Sequence, residues 1–288
     1  MIAVTGANGQ LGQKVINALL TTQAPENIVA LVRNPDNAAH FKAKGVQVRT
    51  ADYNQTDTLA PALAGVDKVL LISGTEFGKR FEQHKAVIDA ALAANVSLIA
   101  YTSILKSDTS PMLLNQEHKQ TEAYLNAVGA PYVLLRNGWY TENYTDNVEA
   151  VLTMGNVAGA AKQGKLSTAS RQDYAEAAAA VLTATESQVG KIYELAGDEG
   201  YTLRDYAETI AALTGKQIGF IDLDQDSYRN ALVDAGLPEG LAAALADTEH
   251  YAASGWLQED SKTLSALIGR PTTSLQASLT AVLNKMSS

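Results

Sequence analysis

Three glycines near the start of the chain, Gly6, Gly9 and Gly12, are the residues whose spacing points most directly to chemistry. They stand as G-x-x-G-x-x-G within Met1-Ile-Ala-Val-Thr-Gly-Ala-Asn-Gly-Gln-Leu-Gly12. Three glycines alone would suit an ordinary turn. Here Ile2, Ala3 and Val4 read as a buried parallel strand before them, and Leu11, Val15, Ile16, Leu19 and Leu20 recur at helical spacing after them. A strand, a glycine loop and a helix in that order are the context that supports a dinucleotide site. Gly6 lets the strand turn sharply, Gly9 lets backbone approach a pyrophosphate, and Gly12 lets the helix pack close to the sheet. The phosphates then lie at a helix N-terminus, where N–H groups and the dipole favour negative charge.

A second position selects among dinucleotides. The apolar run Ile28–Val32 ends at Arg33-Asn34-Pro35, and no acid follows before Asp36. A NAD-preferring site usually places Asp or Glu there, about 20 residues past the glycines, on the ribose 2′-hydroxyl. A guanidinium fork suits a 2′-phosphate instead, so Arg33 points to NADP(H). Asp52 follows the half-buried run Val46–Thr50 and suits either an adenine amino group or a local cap. Ser73, Gly74 and Thr75, after Val69–Ile72, are small enough for backbone to lie beside a cofactor. Ser103, past the run Leu98–Tyr101, suits a substrate-side donor or a loop cap.

The densest remaining cluster is Asn137-Gly-Trp-Tyr-Thr-Glu-Asn-Tyr144, directly after the apolar run Pro131–Leu135. Amides can hold a carboxamide by paired donor and acceptor bonds, and flat aromatics can wall a planar ring. Trp139 and Tyr144 suit core packing equally well; Asn137 and Asn143 do not. The Tyr-x-x-x-Lys pair that gives short-chain dehydrogenases a tyrosine acid is missing, because Tyr101 and Lys106 do not share a helical face.

The elements that position these residues alternate strand and helix, with helices expected over 56–63, 81–95, 117–125 and 173–182. That alternation predicts an α/β fold, a Rossmann-type doubly wound parallel sheet with a smaller α/β C-terminal substrate domain. Residues 1–150 are assigned to the NADPH-binding domain, with 171–196 returning to it, and 197–288 to the substrate domain. In the latter, a helix over 203–213 ends at Gly215, a strand follows at 218–221, and the remainder is mostly helical. Turn formers from Leu105 to Gln116 read as a segment covering a site.

Composition narrows the function further. A formal charge of −9 without a Lys/Arg cluster argues against nucleic acid and acidic membrane surfaces. With no cysteine, thiolate catalysis and cysteine-ligated metals are excluded. His40, His84, His118 and His250 lack ligand spacing. No signal peptide is expected, and no apolar run reaches the ~18 residues of a membrane span. The reading is a cytoplasmic, metal-free protein, a monomer or a homodimer.

Several longer motifs add a resemblance. Residues 5–12, 32–35, 51–53, 70–73 and Leu134-Leu-Arg-Asn-Gly-Trp-Tyr-Thr-Glu-Asn-Tyr144 resemble the NmrA-like family of atypical short-chain dehydrogenase/reductases. The similarity extends to Lys191–Asp198 and Ser261–Gly269, nearly the whole chain. It implies an NADPH site built from Gly6, Asn8, Gln10, Leu11, Arg33 and Ser73, with Asn137, Gly138, Trp139 and Tyr140 near the nicotinamide. It also implies that the segment with Ser170 and Arg171 approaches cofactor or substrate, and that hydride passes from NADPH to a quinone. His118 falls where lignan and isoflavone reductases of this broad family carry a general acid or base, and joins Tyr140 and Asn143 as a catalytic candidate. An unperturbed histidine, near ~6.5, would suit that task. Two other readings stay open: reduction of another planar electrophile such as a triphenylmethane dye, and a redox sensor that binds NADP(H) without turning it over.

Overall fold

The computed structural model describes residues Met1–Met286. In chain order its elements begin with β1 (Ile2–Val4), α1 (Gln10–Leu19), β2 (Ile28–Val32), α2 (Ala39–Lys42), β3 (Gln47–Thr50), α3 (Leu59–Ala62), β4 (Lys68–Leu71) and α4 (Arg80–Ala93). They continue with β5 (Leu98–Ile104), α5 (Gln116–Ala127), β6 (Tyr132–Asn137), α6 (Glu142–Thr145), α7 (Val148–Met154), β7 (Asn156–Gly159), α8 (Arg171–Thr183) and β8 (Ile192–Leu195). The last are α9 (Leu203–Thr214), β9 (Gly219–Asp222), α10 (Gln225–Asp234), α11 (Glu239–Ala252), α12 (Thr263–Ile268) and α13 (Leu275–Met286).

Two compact units result. The first comprises Met1–Ser107, Glu117–Asn137 and Arg171–Tyr193; the second comprises Asp108–Gln116, Gly138–Ser170 and the chain from Glu194 onward. The return of the chain to the first unit falls at 171–193, close to the 171–196 read from the sequence. Residues 138–150 and 108–116, assigned by sequence to the first domain, belong to the second unit. The reason is local: β6 ends at Asn137, and Gly138 donates to the Leu195 carbonyl at 2.7 Å inside the second unit.

The main sheet has seven strands in the order β3-β2-β1-β4-β5-β6-β8, the Rossmann-type α/β arrangement expected. The pairs β3–β2, β2–β1, β1–β4, β4–β5 and β5–β6 are all parallel. β1, β2, β4, β5 and β6 are buried almost throughout, as expected of parallel strands covered on both faces, whereas the edge strand β3 is only half-buried. The order reverses between β1 and β4, and ligands of such sheets bind outside the carboxyl ends of the strands at that switch point. The alanines of α8, among them Ala175 and Ala178, let it pack closely against α1. β5 runs three residues past Tyr101, so Thr102 and Ser103 lie inside the strand and not beyond it.

In the second unit, β7 pairs with β9 in parallel. The capping box of Thr202 and Asp205 starts α9, and Gly215, left-handed at φ +69°, ends it where the sequence placed its cap. β7, α6 and α7 had no clear signal in the sequence: they are short, and only Val148 and Val151 of the two helices form an apolar buried pair.

Candidate functional site

In the first unit the glycine turn is built as its residues dictate. β1 stops at Val4, and the Thr5 hydroxyl accepts the Ile72 N–H at 2.9 Å, tying the turn to the end of β4. Gly6 is left-handed at φ +56°, a conformation that disfavours any side chain. A Cβ on Gly12 would lie 2.8 Å from Ala7 Cα, so the first turn of α1 presses on the loop itself, a tighter constraint than the helix–sheet packing anticipated for it. Gly9 is the N-cap of α1 and brings no side chain, so none caps the first N–H groups from Gln10, Leu11 and Gly12. Asn8 closes the loop by accepting Gln13 Nε2 on its carbonyl at 2.8 Å, while its own Oδ1 is buried without a hydrogen-bond partner.

Arg33 follows β2 directly and is exposed. Among the described residues no carboxylate pairs with it. Asp36, the first acid after it, sits in a short 3-10 turn capped by Asn34, whose Oδ1 accepts the Asp36 N–H at 2.9 Å. Asp52 is engaged locally, accepting the Asn54 N–H at 2.9 Å. Beside it the Tyr53 hydroxyl donates to the Ile72 carbonyl at 3.2 Å, joining the ends of β3 and β4.

The segment after β4 is held by three hydrogen bonds. The Ser73 N–H donates to Thr102 Oγ1 at 2.9 Å, Gly74 N–H to His84 Nε2 at 2.9 Å, and Arg80 Nε to the Gly74 carbonyl at 2.7 Å. Thr75 beyond them is exposed. Asn137, the last residue of β6, is buried, and its Oδ1 has no hydrogen-bond partner. Arg171 opens α8.

Two further candidates lie buried in hydrogen-bonded pairs. His118 is not on a helix surface: it is buried on α5, and its Nδ1 lies 2.7 Å from the Tyr101 hydroxyl. Burial, then the positive Arg80 and the neighbouring His84, push its imidazole well below the ordinary histidine range, which disfavours the charged ring. Ser103 donates to Glu122 Oε1 at 2.5 Å, and that carboxylate is held by Arg136 through Nε at 3.1 Å and Nη2 at 2.7 Å.

Arg80, His84 and Thr121 were not singled out from the sequence. The visible signal was the buried stripe of α4, whose first turns are polar (Arg80, Gln83, His84) before it becomes apolar at Val87, Ile88 and Ala91. A stripe that starts polar marks a place where a helix must satisfy groups other than its own.

In the second unit Gly138, Trp139 and Tyr140 form an extended segment that pairs with Ala169: Ala169 N–H donates to the Trp139 carbonyl at 3.2 Å, and Thr141 N–H to the Ala169 carbonyl at 2.9 Å. The Thr141 and Thr168 hydroxyls lie 2.8 Å apart, and Tyr201 OH lies 3.0 Å from Thr168. Asn143 and Tyr140 are half-buried and Ser170 is buried. This pairing brings Tyr140 and Asn143 into one segment with Ser170, all three named from the sequence. Among the described residues there is no cluster of metal-ligating side chains, and no helix is long and apolar enough to cross a membrane.

With this geometry in view, comparison with known proteins is informative. A family model for NAD(P)H-binding proteins matches residues 6–185. Quinone oxidoreductase 2 of Escherichia coli K12 is 49% identical over 99% of this chain and 99% of its own. The crystal structure of that NADPH-dependent enzyme in complex with NADPH superimposes with a TM-score of 0.96, covering 99% of this chain and 100% of that one. The triphenylmethane reductase of Citrobacter sp., complexed with NADP(H), gives a TM-score of 0.93 at 34% identity, covering 98% and 100% of the two chains. The chain belongs to the NAD(P)H-binding family, as an NmrA-like oxidoreductase.

Proposed function

We propose that this protein is an NADPH-dependent reductase that delivers a hydride to a quinone, with NADPH bound by the first unit and substrate recognised by the second. The observation that carries the reading is the left-handed glycine turn at the switch point of the sheet, followed by a helix whose N-terminus no side chain caps. The residues present fit the cofactor. The glycine turn takes the diphosphate, and the buried, partnerless Oδ1 of Asn8 is an acceptor in search of a donor. Arg33, exposed and without an acidic partner among the described residues, supplies the fork for a 2′-phosphate. Asn137 Oδ1, equally partnerless, suits the amide hydrogens of a carboxamide. Ser73, Gly74 and Thr75 line the ribose, and Asp52 the adenine.

When bound, NADPH supplies the hydride; one proton completes the hydroquinone. Since His118 is held neutral, that proton comes from water, and His118 serves as the hydrogen-bond partner of Tyr101. In the second unit Tyr140 and Asn143 are assigned to substrate, with Trp139 and Ser170 beside them. The quinone itself rests on the likeness to quinone oxidoreductase 2, and a cytoplasmic monomer or homodimer belongs to the same proposal. The test is NADPH oxidation by the purified protein with benzoquinone, naphthoquinone or a triphenylmethane dye, after subtraction of the uncatalysed rate. Turnover with quinones is expected; turnover with the dye alone would reassign the acceptor, and tight NADPH binding without turnover on any acceptor would contradict the enzyme reading.

A further inference from the structure

The Gly74 peptide is gripped at both ends by one helix. Its N–H donates to His84 Nε2 at 2.9 Å, and its carbonyl accepts Arg80 Nε at 2.7 Å. Both side chains project from the first two turns of α4 and both are buried. Gln83, on the turn between them, also reaches Gly74: a Cβ there would lie 2.8 Å from Gln83 Oε1, so that side chain would have to shift. The start of α4 is itself fixed from α5, where the Glu117 carboxylate accepts the Gly78 N–H at 3.2 Å and the Phe81 N–H at 3.3 Å.

The far side of the His84 ring determines which nitrogen carries its proton. His84 Nδ1 lies 3.0 Å from Thr121 Oγ1. The Thr121 hydroxyl gives its own hydrogen to the Glu117 carbonyl at 2.8 Å, so toward His84 it can only accept. Nδ1 therefore bears the hydrogen, and Nε2 presents a lone pair to Gly74. Tyr101 packs edge-on against the ring at 5.2 Å between centroids, and with burial and the Arg80 charge nearby the ring is kept uncharged. A charged ring would set an N–H against the Gly74 N–H, with nothing to accept either.

The peptide so fixed lies just past β4, the strand that with β1 forms the switch point of the sheet. We infer that His84 is a positioning residue for the dinucleotide: its Nδ1–H tautomer, dictated by Thr121, holds the Ser73–Thr75 backbone in the conformation that receives the cofactor. Arg80 holds the next peptide, Gly74–Thr75, by its carbonyl. The inference rests on the NADPH reading above.

Three variants test it. His84→Leu removes the acceptor and leaves the Gly74 N–H buried and unbonded. His84→Gln restores an acceptor at the position of Nε2. Thr121→Val keeps the shape of Thr121 but no longer dictates the tautomer. For His84→Leu the NADPH dissociation constant should rise about ten- to a hundredfold, the usual effect of stranding a buried donor, with kcat at saturating NADPH changed by less than about threefold. His84→Gln should recover to within about threefold of the parent, and Thr121→Val should fall between. Two readouts need no ligand. The imidazole ¹⁵N shifts of His84 should report a bare Nε2 at neutral pH, and the Gly74 amide should lose hydrogen-exchange protection in His84→Leu. Should His84→Leu fail to fold, Thr121→Val and His84→Gln carry the same comparison. NADPH affinity unchanged in a folded His84→Leu protein, or in Thr121→Val with a protonated Nε2, overturns the inference. Parent protein that binds no NADPH while Gly74 stays protected overturns the NADPH reading instead.

Discussion

The two units each bury one titratable side chain that accepts a backbone N–H at the end of a strand, and they chose opposite chemistries. In the first unit the acceptor is His84, which takes the Gly74 N–H; in the second it is Glu249 on α11, whose Oε2 takes the Ala160 N–H at 2.6 Å just past β7. Burial, with Arg80 adding to it, pushes His84 down to about 3, whereas burial pushes Glu249 up to about 7 against the help of Ala160 and Tyr228. Desolvation favours the uncharged form in both cases, and a base and an acid respond to it in opposite directions. The same architectural task, anchoring a loop after a strand, therefore predicts a first unit that loses stability as pH falls and a second that loses it as pH rises toward neutral.

The largest effect that could break this comparison is on stability against pH. Folded His84 titrates below the free imidazole value of 6.5, so its contribution is complete above that pH and is lost as pH falls toward 3. Folded Glu249 titrates above the free carboxyl value of 4.5, so its contribution is complete below that pH and is lost as pH rises toward 7. Between 4.5 and 6.5 the two slopes oppose each other. Glu249→Gln should therefore steepen the loss of stability in acid and raise stability at pH 8 by up to about 3 kcal/mol, at about 1.4 kcal/mol per pKa unit. His84→Gln should do the reverse and become more stable as the pH is lowered from 7 to 4.5. Melting temperatures of both variants across pH 4–8 check this; parallel curves for the two would refute the comparison.

A smaller effect sharpens the second unit. Tyr228→Phe removes a hydroxyl that favours the ionised Glu249, so the window in which stability falls should move upward by under about one pH unit. An unmoved window would take Tyr228 out of the account. The smallest effect concerns His118. Because its ring is neutral and buried beside Tyr101, His118→Gln should change kcat by less than about twofold and leave the pH profile of turnover without a lost acidic limb. A tenfold loss of kcat with unchanged NADPH affinity would restore it as a proton donor.

What could be read ahead of the structure follows from what is local. β1, β2 and the apolar runs of β4, β5 and β6 carry their burial in their own residues, and the glycine turn carries its φ and its close approach in three positions. Arg33 could be weighed from the missing acid alone. The interactions that pass between distant segments were not legible. His84 reads as one of four scattered histidines until α4 is seen to face the end of β4, and its tautomer depends on Thr121, thirty-seven residues later. His118 stands in sequence among the polar Glu117, Lys119 and Gln120, yet α5 turns its His118–Thr121–Leu125 stripe inward. The split of 138–150 from the first unit was hidden for a similar reason: leaving a sheet leaves no mark on the residues that leave.

The claim on which the rest depends is that a 2′-phosphorylated dinucleotide binds at the glycine turn with Arg33 as its reader. The direct measurement is the dissociation constant of NADPH and of NADH, by fluorescence titration, for the parent protein and for Arg33→Ala. A charge-assisted guanidinium–phosphate contact predicts that the parent prefers NADPH, and that Arg33→Ala weakens NADPH about ten- to a hundredfold while NADH changes by less than about threefold. Equal weakening of both dinucleotides, or a parent that binds NADH as tightly as NADPH, would contradict it.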